Sequence, residues 1–368
     1  MSEELNKKTT ATTFNCGQCG AKMEFKPGAL AQVCPYCDHE NPIPQSEEDI
    51  TELDFVTYLK QQSEQEDSQE QLVVNCSTCA AEFSTEPNIV AKDCPFCGNP
   101  TVSTEHSQKH IKPKSLLPFD VTREKAREAF KAWISGLWFA PDCLKKMAAQ
   151  DGKLNGMYVP YWTYDSKTVS YYRGQRGEHY WETQHYTTQE NGKTVHKTRQ
   201  VRKTRWYPAS GTVWSDFDDV LVLASDSLPR KYTLKLEPWD LENLVPYQDD
   251  YLSGFRAESY HVDLEKGFVQ AQTIMDSHIR TLVKRDIGGD EQRIGSVKTQ
   301  HNDVTFKHIL LPIWISAYQY KAATYRFLVN ARTGEVQGER PWSWVKITLL
   351  VVGIAAVIGT IALILANQ

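Results

Sequence analysis

Eight cysteines in the first hundred residues carry the most legible chemistry in this sequence. Cys16, Cys19, Cys34 and Cys37 form two C-x-x-C pairs separated by 14 residues, and Cys76, Cys79, Cys94 and Cys97 repeat the pattern 60 positions later. A C-x-x-C knuckle aims two thiolates at one point. Two such knuckles complete a tetrahedral four-thiolate zinc site with Zn–S distances of about 2.3 Å. With every ligand a thiolate, no coordination position is left open for a substrate, so the expected Zn2+ ions are structural, two per chain.

The neighbouring residues suit metal better than disulfides. Gly17, Gly20 and Gly98 lie in or after the pairs, and Pro35 and Pro95 sit inside the second knuckles. Glycine enters the turn that faces backbone N–H groups toward sulfur, and proline presets φ near −65°. Asn15/Asn75, Ala21/Ala81, Pro27/Pro87 and Ala31/Ala91 also match across the repeat, while Asp38 and Ala80 stand where glycine follows the other two pairs. Those two knuckles are expected to be slightly looser. No secretory signal peptide is visible before Cys16, which agrees with reduced thiols.

The elements that hold these knuckles follow from the surrounding composition. Residues 12–44 read as a first ribbon and 72–104 as a second. Between them, residues 45–71 are rich in Glu, Asp and Gln with Lys60 as the only cation, a solvated acidic linker. Inside it Asp54–Gln61 patterns as a short amphipathic helix with Phe55, Tyr58 and Leu59 on one face. At the other end, Ile347–Ala366 holds twenty residues without charge or proline. As a helix this spans about 30 Å, the thickness of a bilayer core. Trp342, Trp344 and Lys346 precede it as interfacial residues, and residues 345–366 read as a transmembrane tail anchor. Arg340 and Lys346 flank its N-terminal side, so the positive-inside rule places the bulk of the chain in the cytoplasm at the inner (cell) membrane.

Residues 112–340 read as an aromatic, β-rich α+β domain; all ten tryptophans lie at or beyond Trp133. Asp120 or Thr122 can cap a helix through Glu124, Ala126, Phe130 and Trp133 to about Ser135, and Pro141–Gln150 patterns as another. Short strands are expected at Tyr158–Tyr164, Ser170–Tyr172, His179–Trp181 and His185–Thr187, with a hairpin at Asn191-Gly192. Val195–Tyr207 and Val220–Ala224 continue the sheet. Asp263–Arg285 is a long helix with Leu264, Phe268, Ala271, Ile274, Ile279 and Leu282 near one stripe, and strands resume at Val304–Phe306, Ile309–Tyr318 and Tyr325–Asn330. Val159-Pro160-Tyr161-Trp162 echoes Leu311-Pro312-Ile313-Trp314.

One run is strongly basic. Lys193, Lys197, Arg199, Arg202, Lys203 and Arg205 stand in a stretch with no acid between Glu190 and Asp216. It reads either as an edge strand protected by its charge or as a contact for an anionic surface: headgroups, an acidic partner or, less readily, nucleic acid. The net charge of −5 supplies no bulk attraction for nucleic acid. There is no G-x-x-x-x-G-K-[ST], G-x-S-x-G or H-E-x-x-H motif, and Cys143 lies in a helical pattern. No catalytic residue, no organic cofactor and no enzyme activity is expected.

Tandem ribbons, L-P-F-D (Leu117–Asp120), Y-V-P-Y-W-T-Y-D (Tyr158–Asp165), R-W-Y-P-A-S-G (Arg205–Gly211), L-P-I-W (Leu311–Trp314), T-G-E-V (Thr333–Val336) and the terminal apolar stretch come in this order. In this the chain resembles a bacterial family of tail-anchored double zinc-ribbon membrane proteins, associated with phage-shock and flotillin-like proteins and often labelled primosomal protein N′-like or TFIIB-type zinc ribbon. The resemblance implies a membrane scaffold that recruits envelope-stress proteins, and homo- or hetero-oligomers are compatible with it. The alternative is a nucleic-acid-binding ribbon protein of replication or transcription type, without helicase activity.

Overall fold

The computed structural model describes residues 15–29, 31–44, 50–61, 68–76, 82–84, 91–94, 100–102, 105–141, 154–190, 193–320 and 323–366. In the first ribbon, β1 (Glu24–Phe25), β2 (Ala31–Val33) and β3 (Glu40–Pro42) make a three-stranded antiparallel sheet in that order. The acidic linker is more than a solvated tether. Its β4 (Leu53–Asp54) pairs with Phe306 and Thr305, and α1 (Phe55–Gln61) lays Phe55, Tyr58 and Leu59 against the core. The amphipathic face foreseen for this helix is therefore packed, half-buried, against Phe306 and Phe268, because three apolar side chains gain more from this contact than the acidic flanks lose.

The segment that carries the second cysteine quartet holds β5 (Ser68–Asn75), β6 (Glu82–Ser84), β7 (Ala91–Asp93) and β8 (Pro100–Val102), with β9 (Glu105–Ile111) returning along β5. β7 and β8 repeat β2 and β3 at the 60-residue offset in the same register: Ala31 faces Pro42, and Ala91 faces Val102.

After β10 (Ser115–Leu116), α2 (Arg123–Gly136) starts where foreseen, with Lys125 N donating to the Thr122 hydroxyl at 3.4 Å. The second expected helix lies almost wholly outside the described residues, as does Cys143. The sheet itself is built on very long strands. β11 (Asn155–Glu190) runs 36 residues and β12 (Lys193–Leu223) runs 31. What reads in sequence as several short strands is one strand, with a bulge at Asp165 and a second register shift against β15 at Arg173–Gly174. Gly174 and Gly177 stay inside it because their neighbours come too close for a Cβ: the Arg293 carbonyl at Gly174, Thr204 and Trp206 at Gly177. Residues 191–192 are outside the described set, but the pair Glu190–Lys193 flanks them as a two-residue hairpin requires.

The chain continues through α3 (Arg230–Thr233), β13 (Val245–Pro246), β14 (Arg256–Ala257), α4 (Leu264–Ile287), β15 (Glu291–Tyr320), β16 (Ala323–Asn330), β17 (Val336–Gly338) and α5 (Trp344–Ala366). β15 lies antiparallel to β11 from Gly177–Glu291 to Asn155–Ile315, and its other edge is covered in turn by β4, β10 and β16. The two echoing segments lie side by side on neighbouring antiparallel strands, Val159 facing Leu311.

Both faces of the sheet are buried near this point. One face packs Met157, Val159, Tyr161, Ile309, Leu311 and Ile313 against Leu223, Leu228, Leu236 and Trp239. The other carries two clusters. Tyr158, Leu310 and Trp314 meet α2 and Phe25 and Ile43 of the first ribbon, while Trp162, Tyr164 and Phe306 lie under α4. Burial on both sides explains why these strands read as unbroken apolar runs without alternation. The buried stripe of α4 is Leu264, Gly267, Ala271, Met275, Ile279, Val283 and Ile287, so Ile274 falls outside it. Trp162 Nε1 donates to Val262 O at 2.8 Å and the Tyr164 hydroxyl to Leu264 O at 2.7 Å. A Cβ at Gly267 would strike that hydroxyl, so glycine there lets α4 close onto the sheet.

Candidate functional site

The first quartet is assembled. Cys16 Sγ lies 3.5 Å from Cys37 Sγ, Cys19 Sγ lies 3.4 Å from Cys34 Sγ, and all four sulfurs fall within 4.8 Å of one another. A tetrahedron of sulfurs around zinc has edges of about 3.8 Å when Zn–S is about 2.3 Å, whereas a disulfide brings sulfurs to about 2.05 Å. None of the described cysteines is in a disulfide. The knuckles turn as two copies of one loop: Gly20 N donates to Cys16 O at 2.9 Å and Asp38 N to Cys34 O at 3.0 Å.

Asp38 takes φ 55°, beside φ 76° at Gly20. Aspartate tolerates the left-handed region better than most side chains, so the turn after the second pair keeps the glycine geometry despite its Cβ. The Cys19 backbone amide draws the Cys16 thiol down to about 6, against burial. Cys37 goes the other way. The His39 amide pulls it down, but burial and the three neighbouring sulfurs push it up to about 12. Four thiolates cannot share this volume without a cation, and a divalent, sulfur-seeking ion resolves the conflict.

Residues 16–40 match the NADH pyrophosphatase zinc ribbon domain. The chain carries a zinc ribbon. A wider likeness exists to an uncharacterized protein of Bacillus subtilis (strain 168), YdjG, which is 27% identical over 251 residues, 67% of this chain and 69% of its own length. No solved structure matches the chain.

Of the second quartet, Cys76 and Cys94 are described and fully buried, in the same cluster as Leu117 and Met157. Cys79 and Cys97 lie outside the described residues. Among the described residues one four-cysteine centre is present.

The six basic residues stand on β12, opposite β11. Beyond Gly177, β15 ends and the two strands continue alone through thirteen pairs, from Glu178–Arg205 to Glu190–Lys193. At about 3.4 Å per residue this arm projects roughly 45 Å past the sheet. Direct pairs share a face, so Lys193, Lys197, Arg199, Lys203 and Arg205 line one face while Arg202 lies on the other, opposite the exposed Trp181. An isolated hairpin is marginal in water. Here Lys203 pairs with Glu182, Arg199 bonds Gln184 at 3.1 Å, and Arg205 covers the Tyr180 ring. The base is clamped by His179 N to Asp290 at 2.7 Å and by Arg293 lying 3.8 Å over Trp206.

One polar cluster was not foreseen from sequence. Where β4 docks, Lys307 Nζ bonds Glu52 at 3.0 Å and Asp219 at 2.8 Å, and the Thr305 hydroxyl lies within bonding distance of Glu52 (2.7 Å) and Asp165 (3.1 Å). Asp165 sits at the bulge and accepts from Asp219 N at 2.7 Å. Burial and the adjacent Glu52 push Asp165 up to about 7, while bonding to Asp165 holds Glu52 down to about 2. Asp165 therefore keeps its proton to a higher pH than Glu52 does. Glu52, Asp165 and Asp218 lie close together, and Lys307 supplies the positive charge for the group. No sequence motif could have shown it, since its members come from four distant segments.

Proposed function

We propose that this protein is a zinc-ribbon adaptor, held at the cytoplasmic face of the inner membrane by α5, that presents protein partners with a basic β arm. The observation that carries this reading is the placement of the two ends. α5 follows β17, which pairs with β16 and through it with the Ile313–Ser316 end of β15, beside the start of β11. The arm is the opposite end of the same 36-residue strand, on the order of 100 Å away at about 3.3 Å per residue. An arm directed away from α5 suits a protein partner better than the headgroups beside the anchor.

Its edges are open among the described residues, and its cations invite an acidic segment. The register shared by β7–β8 and β2–β3 supports a second zinc held by Cys76, Cys79, Cys94 and Cys97. The family resemblance points to envelope-stress proteins of phage-shock or flotillin-like type as partners. Nucleic acid is the second reading, since a two-stranded basic ribbon fits a major groove. Glu178 and Glu182 on the basic face weigh against it.

The test is crosslinking in intact membranes with zinc retained. Replacing residues 178–205 by a two-residue turn is expected to abolish partner capture while the chain stays in the membrane fraction. Capture unchanged without the arm rejects the docking role, and nuclease-sensitive capture moves the assignment to nucleic acid.

A further inference from the structure

The turn that ends α2 carries an exposed aromatic side chain for which the fold of the body offers no reason. Trp138 is 75% exposed, and Phe139 beside it is half-buried. Trp342 and Trp344, at the start of α5, are 52% and 78% exposed. These residues are distant in sequence and tied together in space. Ser343 N donates to Phe139 O at 2.8 Å, and Lys346 Nζ donates to Ala140 O at 3.0 Å. The Phe139 and Trp342 rings lie 6.1 Å apart, and Arg340 covers Trp342 at 4.6 Å.

Lys346 fixes the depth. It is the last charged residue before the uncharged stretch that begins at Ile347. A carbonyl bonded to its ammonium therefore sits level with the boundary between headgroups and hydrocarbon. Trp138 is two residues from that carbonyl. Tryptophan concentrates at this depth because its ring is apolar while its N–H still finds polar partners. The nearby cations complete the chemistry of an interfacial belt. The other strongly exposed tryptophans, Trp181 and Trp214, lie on the β11–β12 ribbon.

We propose that the Trp138–Phe139 turn is a second membrane contact, an interfacial foot that rests in the headgroup layer and, with Trp342 and Trp344, fixes the tilt of the body on a lipid bilayer. This rests on α5 crossing that bilayer, as proposed above. One helix on a flexible link would let the body swing. Two bonded points of contact hold the sheet at one angle, and the arm with it.

The experiment uses the full chain in phosphatidylcholine–phosphatidylglycerol vesicles carrying acyl chains brominated near the headgroup, which quench only tryptophans at that depth. In the wild type, Trp138, Trp342 and Trp344 are expected to be quenched together, and Trp138→Phe to remove roughly a third of the quenchable emission. The Trp342→Phe/Trp344→Phe variant keeps that third if the proposal holds. If this variant pellets with vesicles after a high-salt wash yet shows no bromolipid quenching, Trp138 is off the bilayer and the foot is disproved; a protein-covered turn gives the same result. A wild-type chain that fails to pellet overturns the anchor, and the foot with it.

Discussion

At the residue scale the decisive groups are sulfurs. Cys16, Cys19, Cys34 and Cys37 stand at distances a zinc ion would set, and their thiols divide between a favoured and a disfavoured thiolate when no cation is considered. Small ribbons bury too little surface to fold without metal, so binding and folding are one event. The reduced protein is expected to contain two zinc ions per chain. Cys34→Ser and Cys94→Ser should each lower this to one, as read by elemental analysis against protein concentration. A wild-type value of one would confine zinc to the first quartet. That quartet was legible because its ligands are local pairs at fixed spacing. The left-handed turn at Asp38 was not, because an aspartate at that position signals polarity before it signals backbone shape.

At the element scale the strap formed by β4 and α1 has a pH dependence built into its dock. The Asp165 carboxyl is raised to about 7, so its contribution is full below the ordinary carboxylate range and is lost as pH rises through about 7. Glu52 is lowered to about 2, so its contribution is present above its ordinary value and fades as pH falls toward 2. The strap should therefore dock most firmly between about pH 4 and 6. Amide exchange of Leu53–Gln61, corrected for intrinsic rates, is expected to show protection falling between pH 6 and 8. Asp165→Asn should flatten that limb, a gain of about 1 kcal/mol at pH 8 once solvent screening is allowed for. Equal protection at pH 5 and pH 8 in the wild type contradicts a raised Asp165 carboxyl at the dock. The apolar face of α1 was readable from its spacing, but its partner Phe306, some 250 residues away, was not.

At the scale of the whole molecule, a buried sheet separates the end that carries α5 from a projecting arm. α5 is one helix long and apolar enough to cross a membrane, with none of its apolar window buried against the body. Among the described residues, no α5 residue belongs to the three core clusters of the sheet. Removing residues 342–368 should therefore yield a folded chain in the soluble fraction, with the same thermal midpoint within about 2 °C, since what is lost is peripheral: two hydrogen bonds to the Phe139 and Ala140 carbonyls and the contacts of Trp342 with Phe139 and Arg340. The full chain should stay with membranes in high salt, because hydrophobic transfer rather than charge holds it. Release of the full chain by salt alone contradicts the anchor.

The sequence by itself determined what depends on local spacing. This covers the first two knuckles and their four ligands, the cap of α2, the extent of α4, the return of the chain at the pair Glu190–Lys193 and the apolar length of α5. Each is written within a few turns of chain, so neighbours in sequence suffice to recognise it. Only the tertiary structure decided the rest. It joined short β segments into 30-residue strands, because the glycines between them mark close approach to a neighbouring strand rather than a turn. It turned part of an acidic linker into a packed strap, placed the basic run on an arm remote from α5, and brought Trp138 beside Trp342. Those outcomes turn on which distant surfaces meet, and the energy that selects the meeting lies in contacts that no local pattern records.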